Sequence, residues 1–180
     1  ANSTFTVGES ISFIAEVTDN EDSPSQISVD WVSSLDGLFS STGPSSNSIA
    51  QFSTSSLSNG THSITVTATD SDGLYADALL DITIYGVPSQ PTVSLSPDPA
   101  YTTDDLLAIG SGSVDPDGDP VSYIYEWYLN GVNSGLIGST LPQTSTVKSQ
   151  IWTVRVTPTD GIVNGDYEEA SVTILNSPPE

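Results

Sequence analysis

Asp19 and Trp31 stand twelve positions apart, as do Asp115 and Trp127, and this spacing opens a repeat that runs through the whole chain. At an offset of 96, Asp19, Glu21, Pro24, Ile27, Val29 and Trp31 fall on Asp115, Asp117, Pro120, Tyr123, Tyr125 and Trp127. Past the Trp the offset becomes 90. There Ile64-Thr65-Val66-Thr67 falls on Val154-Arg155-Val156-Thr157, Asp70 on Asp160, Ile82-Thr83-Ile84 on Val172-Thr173-Ile174, and Pro88 on Pro178. Self-similarity at a fixed period is the mark of an array in which one structural unit is repeated. The chain therefore divides into copies at 1–86 and 87–176, with 177–180 read as a linker into a further copy. The change of offset gives the first copy six more residues between its Trp and its later strand.

Each copy of about 90 residues is long enough to bury a modest core of its own. Alternation of apolar and polar residues identifies strands. In the first copy Ile11, Phe13, Ala15 and Val17 share one face, then Ile27, Val29 and Trp31, then Ile64, Val66 and Ala68, and Leu80, Ile82 and Ile84 close it. The second copy gives Val93 and Leu95, Leu107 and Ile109, and Tyr123, Tyr125 and Trp127. It ends on Trp152, Val154 and Val156, and on Ala170, Val172 and Ile174. Ser, Thr, Gly, Pro, Asn and Asp fill the intervals, as turns require. The expectation is an all-β chain of two tandem immunoglobulin-like antiparallel β-sandwiches, about seven strands each, with Trp31 and Trp127 buried mid-strand. Two prolines stiffen the segment Tyr85–Pro91 between the copies.

Twenty-three acidic residues against two basic ones, Lys148 and Arg155, give a formal net charge of −21. That balance excludes nucleic acid, whose phosphates need a basic footprint, and an anionic membrane surface. There is no Cys, hence no disulfide framework and no thiolate metal site. A secreted module without disulfides points to a prokaryotic surface protein. No signal peptide and no apolar stretch of about 18 residues is present, so the chain is expected to be part of a larger protein and not to insert in a membrane. Asn2-Ser3-Thr4 and Asn59-Gly60-Thr61 are acceptor triplets for N-glycosylation.

The carboxylates gather at two places in each copy. In the second these are Asp115-Pro116-Asp117-Gly118-Asp119-Pro120 and Asp160-Gly161, and in the first Asp19-Asn20-Glu21-Asp22 and Asp70-Ser71-Asp72-Gly73. Loops between the second and third strands and between the last two strands lie at one pole of such a sandwich. Several hard oxygens converging there suit Ca²⁺, which takes 6–8 of them. The expected ligands are Asp19, Glu21, Asp22, Asp70 and Asp72 in the first copy and Asp115, Asp117, Asp119 and Asp160 in the second, one Ca²⁺ for each. Asx turns are the plain alternative for the same residues.

Ile64-Thr65-Val66-Thr67-Ala68-Thr69-Asp70-Ser71-Asp72-Gly73-Leu74 resembles the late strand and turn of PKD (polycystic kidney disease) domains. Asp115–Pro120 followed by Trp127 resembles the Ig-like repeats of bacterial and archaeal surface proteins and large adhesins. The Trp-Asp-Phe-Gly-Asp-Gly signature of typical PKD domains is missing. Trp31 is followed by Val32-Ser33-Ser34-Leu35-Asp36-Gly37 and Trp127 by Tyr128-Leu129-Asn130-Gly131, so the copies are PKD-like. The resemblance implies spacers, stalks and adhesive modules, some of which bind Ca²⁺ at the loops named above.

Catalysis is not expected. The single histidine, His62, stands at a strand start where a solvated position is the usual one, with no base and acid arranged around it by spacing. Lys148 is expected to be an ordinary exposed lysine. The functional expectation is a non-catalytic, monomeric spacer or adhesion repeat of an extracellular prokaryotic surface protein, stiffened by Ca²⁺. Its partners are neighbouring modules of the same chain, and a cell-surface glycan or protein. The alternative is a carbohydrate- or protein-binding module, for which Tyr128, opposite in face to Trp127, is the aromatic to follow.

Overall fold

The computed structural model describes residues 3–179, so Asn2 of the first glycosylation triplet lies outside the described residues. The chain forms two compact units, Ala1–Gly86 and Val87–Glu180. Ser177 stays with the second of them, its hydroxyl 2.7 Å from that of Thr102 and 3.1 Å from that of Thr103. No helix among the described residues is long and apolar enough to cross a membrane.

The first unit contains β1 (Ser3–Thr6), β2 (Ile11–Glu16), β3 (Ser28–Ser33), β4 (Gly37–Ser40), β5 (Ile49–Thr54), β6 (Gly60–Thr69) and β7 (Tyr75–Tyr85). One sheet has the order β1-β7-β6-β3-β4, and β2 pairs with β5 in the other. β1 runs parallel to β7, the remaining pairs antiparallel. Period-two alternation puts Val29 and Trp31 of β3 inside and Ser28, Asp30 and Val32 outside. Trp31 meets the edges of Phe13 and Phe52, at ring-centre distances of 5.9 and 5.1 Å, while those two phenyl rings stack at 5.4 Å. Such contacts add about 0.5–1.5 kcal/mol per pair beyond burial. The six additional residues of this copy match the longer connection before β5, eight residues (41–48) against two (138–139) before β13.

The second unit contains β8 (Thr92–Ser96), β9 (Ala100–Tyr101), β10 (Leu106–Ser111), β11 (Ser122–Leu129), β12 (Val132–Ile137), β13 (Thr140–Leu141), β14 (Ile151–Thr159) and β15 (Glu168–Leu175). The sheets are β13-β10-β8 and β12-β11-β14-β15-β9. Two sheets per unit, with β1 parallel to the last strand β7 in the first and β9 parallel to the last strand β15 in the second, make each unit an immunoglobulin-like sandwich. Trp127, Trp152, Val154 and Val156 centre the second core.

The phase of β10 and the reach of the first core along β7 differ from expectation. β10 buries Leu106 and Ala108, leaving Leu107 42% and Ile109 50% exposed. The reason lies at Gly110, on the inward side, where a Cβ would come within 2.7 Å of Val156 Cγ1 and 3.0 Å of Tyr123. Only the face carrying that glycine fits against β14 and β11. Leu80 is 38% exposed and does not close the first core, which ends on Ile82 and Ile84.

Gly165 is fixed by close approach. Its N–H donates to the Pro158 carbonyl at 2.9 Å, and a Cβ would run into the Pro88 carbonyl oxygen and lie 2.9 Å from Pro158 Cγ. Gly165→Ala is expected to destabilise the second unit by about 1–3 kcal/mol, as overpacking does. The readout is a lower urea midpoint with an unchanged slope. An unmoved midpoint would mean that the Pro88 backbone yields freely.

Candidate metal site

Asp115 lies in the loop between β10 and β11 and is only 4% exposed. Its Oδ1 accepts the N–H groups of Asp117 at 2.8 Å and Asp119 at 3.4 Å, and its carbonyl accepts that of Gly118 at 3.2 Å. The loop thus curls around the carboxylate, with Gly118 at φ +85° taking the left-handed step. Asp160 follows β14 directly, and its Oδ1 accepts the N–H groups of Ile162 and Val163, both at 2.7 Å. In each residue one oxygen is committed to its own loop. The other, Oδ2 of Asp115 and Oδ2 of Asp160, is buried without a hydrogen-bond partner. Asp119 joins them, so that one carboxylate oxygen from each of Asp115, Asp119 and Asp160 falls within 4.8 Å of the other two.

Three anions so close repel one another by roughly 3–4 kcal/mol per pair at an effective dielectric of about 20. A buried carboxylate oxygen with no donor adds a desolvation cost of its own. A cation removes both costs. Oxygens 2.3–2.6 Å from one Ca²⁺ lie up to about 5 Å apart, so the observed spread fits that ion and the donor set is of the hard type it takes. Asp117 supports the site through its N–H, but its carboxylate is outside the three.

The first unit's candidates are differently employed. Asp19 Oδ1 accepts N–H groups from Glu21 and Asp22, both at 2.8 Å, and these bonds, Asp22's first, hold its carboxyl below the usual range. Asp70 Oδ1 accepts those of Asp72 and Leu74 at 2.9 Å. Asp22 takes the Ser71 N–H at 2.8 Å, the Ser71 hydroxyl at 2.8 Å and the Gln26 amide at 3.0 Å. The two loops are thereby tied through Asp22 and Ser71. Asp19, Glu21, Asp22, Asp70 and Asp72 form no cluster of three, and Asp115–Asp119–Asp160 is the sole such group among the described residues. The difference is written in the repeat: at the offsets of 96 and 90, Asp119 falls on Ser23, and Ser71 on Gly161. The first copy lacks the third carboxylate and has a hydroxyl that binds the loop shut.

His62 is fully buried, contrary to its expected solvated position. Its Nε2 donates to the Ser58 carbonyl at 2.8 Å, which leaves Nδ1 to accept the Ser33 hydroxyl at 2.7 Å. Ser33 Oγ in turn accepts the N–H groups of Leu35 and Asp36 at 3.1 Å. Asp36 also approaches Nδ1, at 3.8 Å. Ser and Asp therefore crowd the same ring nitrogen, whereas a nucleophile relay needs them on opposite ones. Burial works to raise the Asp36 carboxyl, but the hydroxyl and N–H of Ser58, with His62 behind them, hold it below its ordinary value. Tyr128 is half-buried beneath Arg155, whose guanidinium lies 4.8 Å from its ring centre and 3.9 Å from that of Tyr167. Arg155 Nε donates to Glu169 at 2.9 Å, which raises its pKa further. Lys148 is exposed.

No protein-family model matches the sequence, and no curated protein matches it. Among solved structures, the chain is similar to the fibronectin(III)-like modules of Clostridium thermocellum CbhA, with 17% identity over 98% of this chain and 90% of that one and a TM-score of 0.41. It is also similar to a two-domain fibronectin type III segment of chicken tenascin, at 14% identity over 96% and 95% with a TM-score of 0.37. The N-terminal Ig1-2 module of the Drosophila receptor protein tyrosine phosphatase DLAR gives 10% identity over 98% and 94%, with a TM-score of 0.38.

Proposed function

We propose that the chain is a non-catalytic spacer or adhesion segment, PKD-like in kind, of an extracellular prokaryotic surface protein, and that its second unit binds one Ca²⁺. The observation that carries the calcium reading is the pair of buried, unpartnered oxygens, Asp115 Oδ2 and Asp160 Oδ2, within a three-carboxylate cluster. Asp115, Asp119 and Asp160 would hold the ion, which when bound supplies positive charge and fixes the β10–β11 and β14–β15 loops to each other. The spacer reading is supported by two sandwiches whose Trp and Phe residues all pack into a core, with Tyr75 and Tyr167 the exposed aromatics. The net charge of −21 adds to it by keeping neighbouring copies apart and the array soluble.

Calorimetric titration of the chelator-treated chain with CaCl₂ is expected to give one site per chain. Ca²⁺ at a hundredfold excess over its dissociation constant would stabilise by about 2.7 kcal/mol. The unfolding midpoint of the second unit should rise accordingly, reverse with EDTA, and not respond to equivalent NaCl. Absence of binding at millimolar Ca²⁺ would overturn the calcium reading. Two equal sites would overturn its restriction to the second unit.

A further inference from the structure

Among the described residues, three buried side-chain oxygens have no hydrogen-bond partner: Asp115 Oδ2, Asp160 Oδ2 and Ser113 Oγ. The first two belong to the carboxylate cluster. Ser113 lies two residues ahead of Asp115, in the same connection between β10 and β11. Val114 between them is 69% exposed, whereas the Ser113 hydroxyl and the Asp115 carboxylate are buried. Both polar side chains therefore leave the chain on its inner side. The backbone holds that direction. The Val114 N–H donates to Ser89 Oγ at 2.9 Å, and the Val114 carbonyl accepts the Ser89 N–H at 3.0 Å. The Ser113 N–H donates to the Tyr123 hydroxyl at 3.2 Å, and Tyr123 stands opposite Pro158, two residues ahead of Asp160. Ser113 is thus tied to the strand pair whose end leads into Asp160.

We propose that Ser113 Oγ is a further ligand of the cation held by Asp115, Asp119 and Asp160, an inference that rests on the calcium reading above. Ca²⁺ takes 6–8 oxygens, more than three carboxylates binding through one oxygen each can supply. Asp115 and Asp160 are limited in this way, because the Oδ1 of each is engaged by its own loop. A hydroxyl is a neutral, hard donor whose lone pair can face a cation while its proton turns away. It fills a further place on the ion without adding to the repulsion among the carboxylates. Without the ion, a buried hydroxyl that makes no bond is a cost to the fold. The repeat agrees. At the offset of 96, Ser113 falls on Val17, an apolar side chain packed against the first core. The copy that lacks the third carboxylate therefore lacks this hydroxyl as well.

The test compares the parent chain with Ser113→Ala, using Tb³⁺ as a probe that shares the size and oxygen preference of Ca²⁺. Its luminescence lifetimes in H₂O and D₂O count the waters on the bound ion. The variant is expected to admit about one more water than the parent, in the place the hydroxyl leaves. In calorimetric titration it should bind Ca²⁺ roughly tenfold more weakly, the equivalent of one polar contact to a charge. In EDTA its unfolding midpoint should stand at or above that of the parent, since alanine removes a buried polar atom that nothing satisfies. An unchanged water count with Ca²⁺ affinity intact would overturn the proposal. So would an unchanged count with a lower midpoint in EDTA, which would make the hydroxyl a structural group. Failure of the parent itself to bind Tb³⁺ or Ca²⁺ is a separate result: it removes the calcium reading and this ligand with it.

Discussion

Trp127→Ala is expected to lower the stability of the second unit by about 3–5 kcal/mol, the range for deleting a large buried aromatic. Domains of this size hold only about 5–15 kcal/mol in total, so the variant should stand close to its unfolding threshold at room temperature. Trp127 is wholly buried, and its indole N–H donates to the Gly138 carbonyl at 2.8 Å. Alanine removes the ring and leaves that carbonyl without its donor. Phe retains much of the volume and loses only the bond, for about 1–3 kcal/mol. The cores are built from separate residue sets, Trp31 in one and Trp127 with Trp152 in the other. Guanidinium denaturation followed by the remaining Trp fluorescence should therefore show the Trp152 transition moved and the Trp31 transition in place. Equal loss in both transitions would show that the units unfold as one cooperative body.

The same residue explains why so much of the fold was legible. A mid-strand Trp recurring at fixed distance from an acidic turn fixes β3 and β11, and the period-two runs on either side fix the strands that face them. Where only one side of a strand was apolar, as at Val29-Asp30-Trp31, the buried side followed directly. β10 reads Leu-Leu-Ala-Ile-Gly-Ser, apolar on both sides, and alternation carries no phase information there. The decision belongs to Gly110, through a close approach to Val156 that sequence does not display. His62 was misplaced for a related reason. A polar ring at a strand start enters the interior only if partners satisfy both nitrogens, and Ser33 and Ser58 are brought to it by the fold.

At the acidic pole, sequence located the loops but not the division of labour within them. Asp115 and Asp19 look alike in the repeat, and each bends its own loop around Oδ1. What separates the poles is the neighbour at the matched position, Asp119 against Ser23 and Gly161 against Ser71. That signal was present in the alignment of the two copies. It acquires meaning once Asp22 is found holding the Ser71 N–H and hydroxyl, and Asp160 Oδ2 is found buried with nothing to hold.

Asp115→Asn is expected to change sign with calcium. Without Ca²⁺, the substitution removes one of three mutually repelling charges and keeps an Oδ1 that still accepts the N–H groups of Asp117 and Asp119. Its new NH₂ replaces the orphaned Oδ2 and has the Asp119 and Asp160 carboxylates as acceptors nearby. In EDTA the variant should therefore melt at or above the temperature of the parent chain. With Ca²⁺ in hundredfold excess the parent gains about 2.7 kcal/mol. For a unit of this size that is roughly 10–20 °C. The variant, reduced to two charged ligands, should lose most of that gain and melt below the parent. Asp115→Ala separates turn from ligand: it removes the acceptor for two loop N–H groups and should be the less stable variant under both conditions. Asp19→Asn is the matched control, since its loop pattern is the same and no cluster surrounds it. A Ca²⁺ response retained by Asp115→Asn, together with a loss of stability in EDTA, would assign Asp115 to the turn alone and remove it from the ion's ligands.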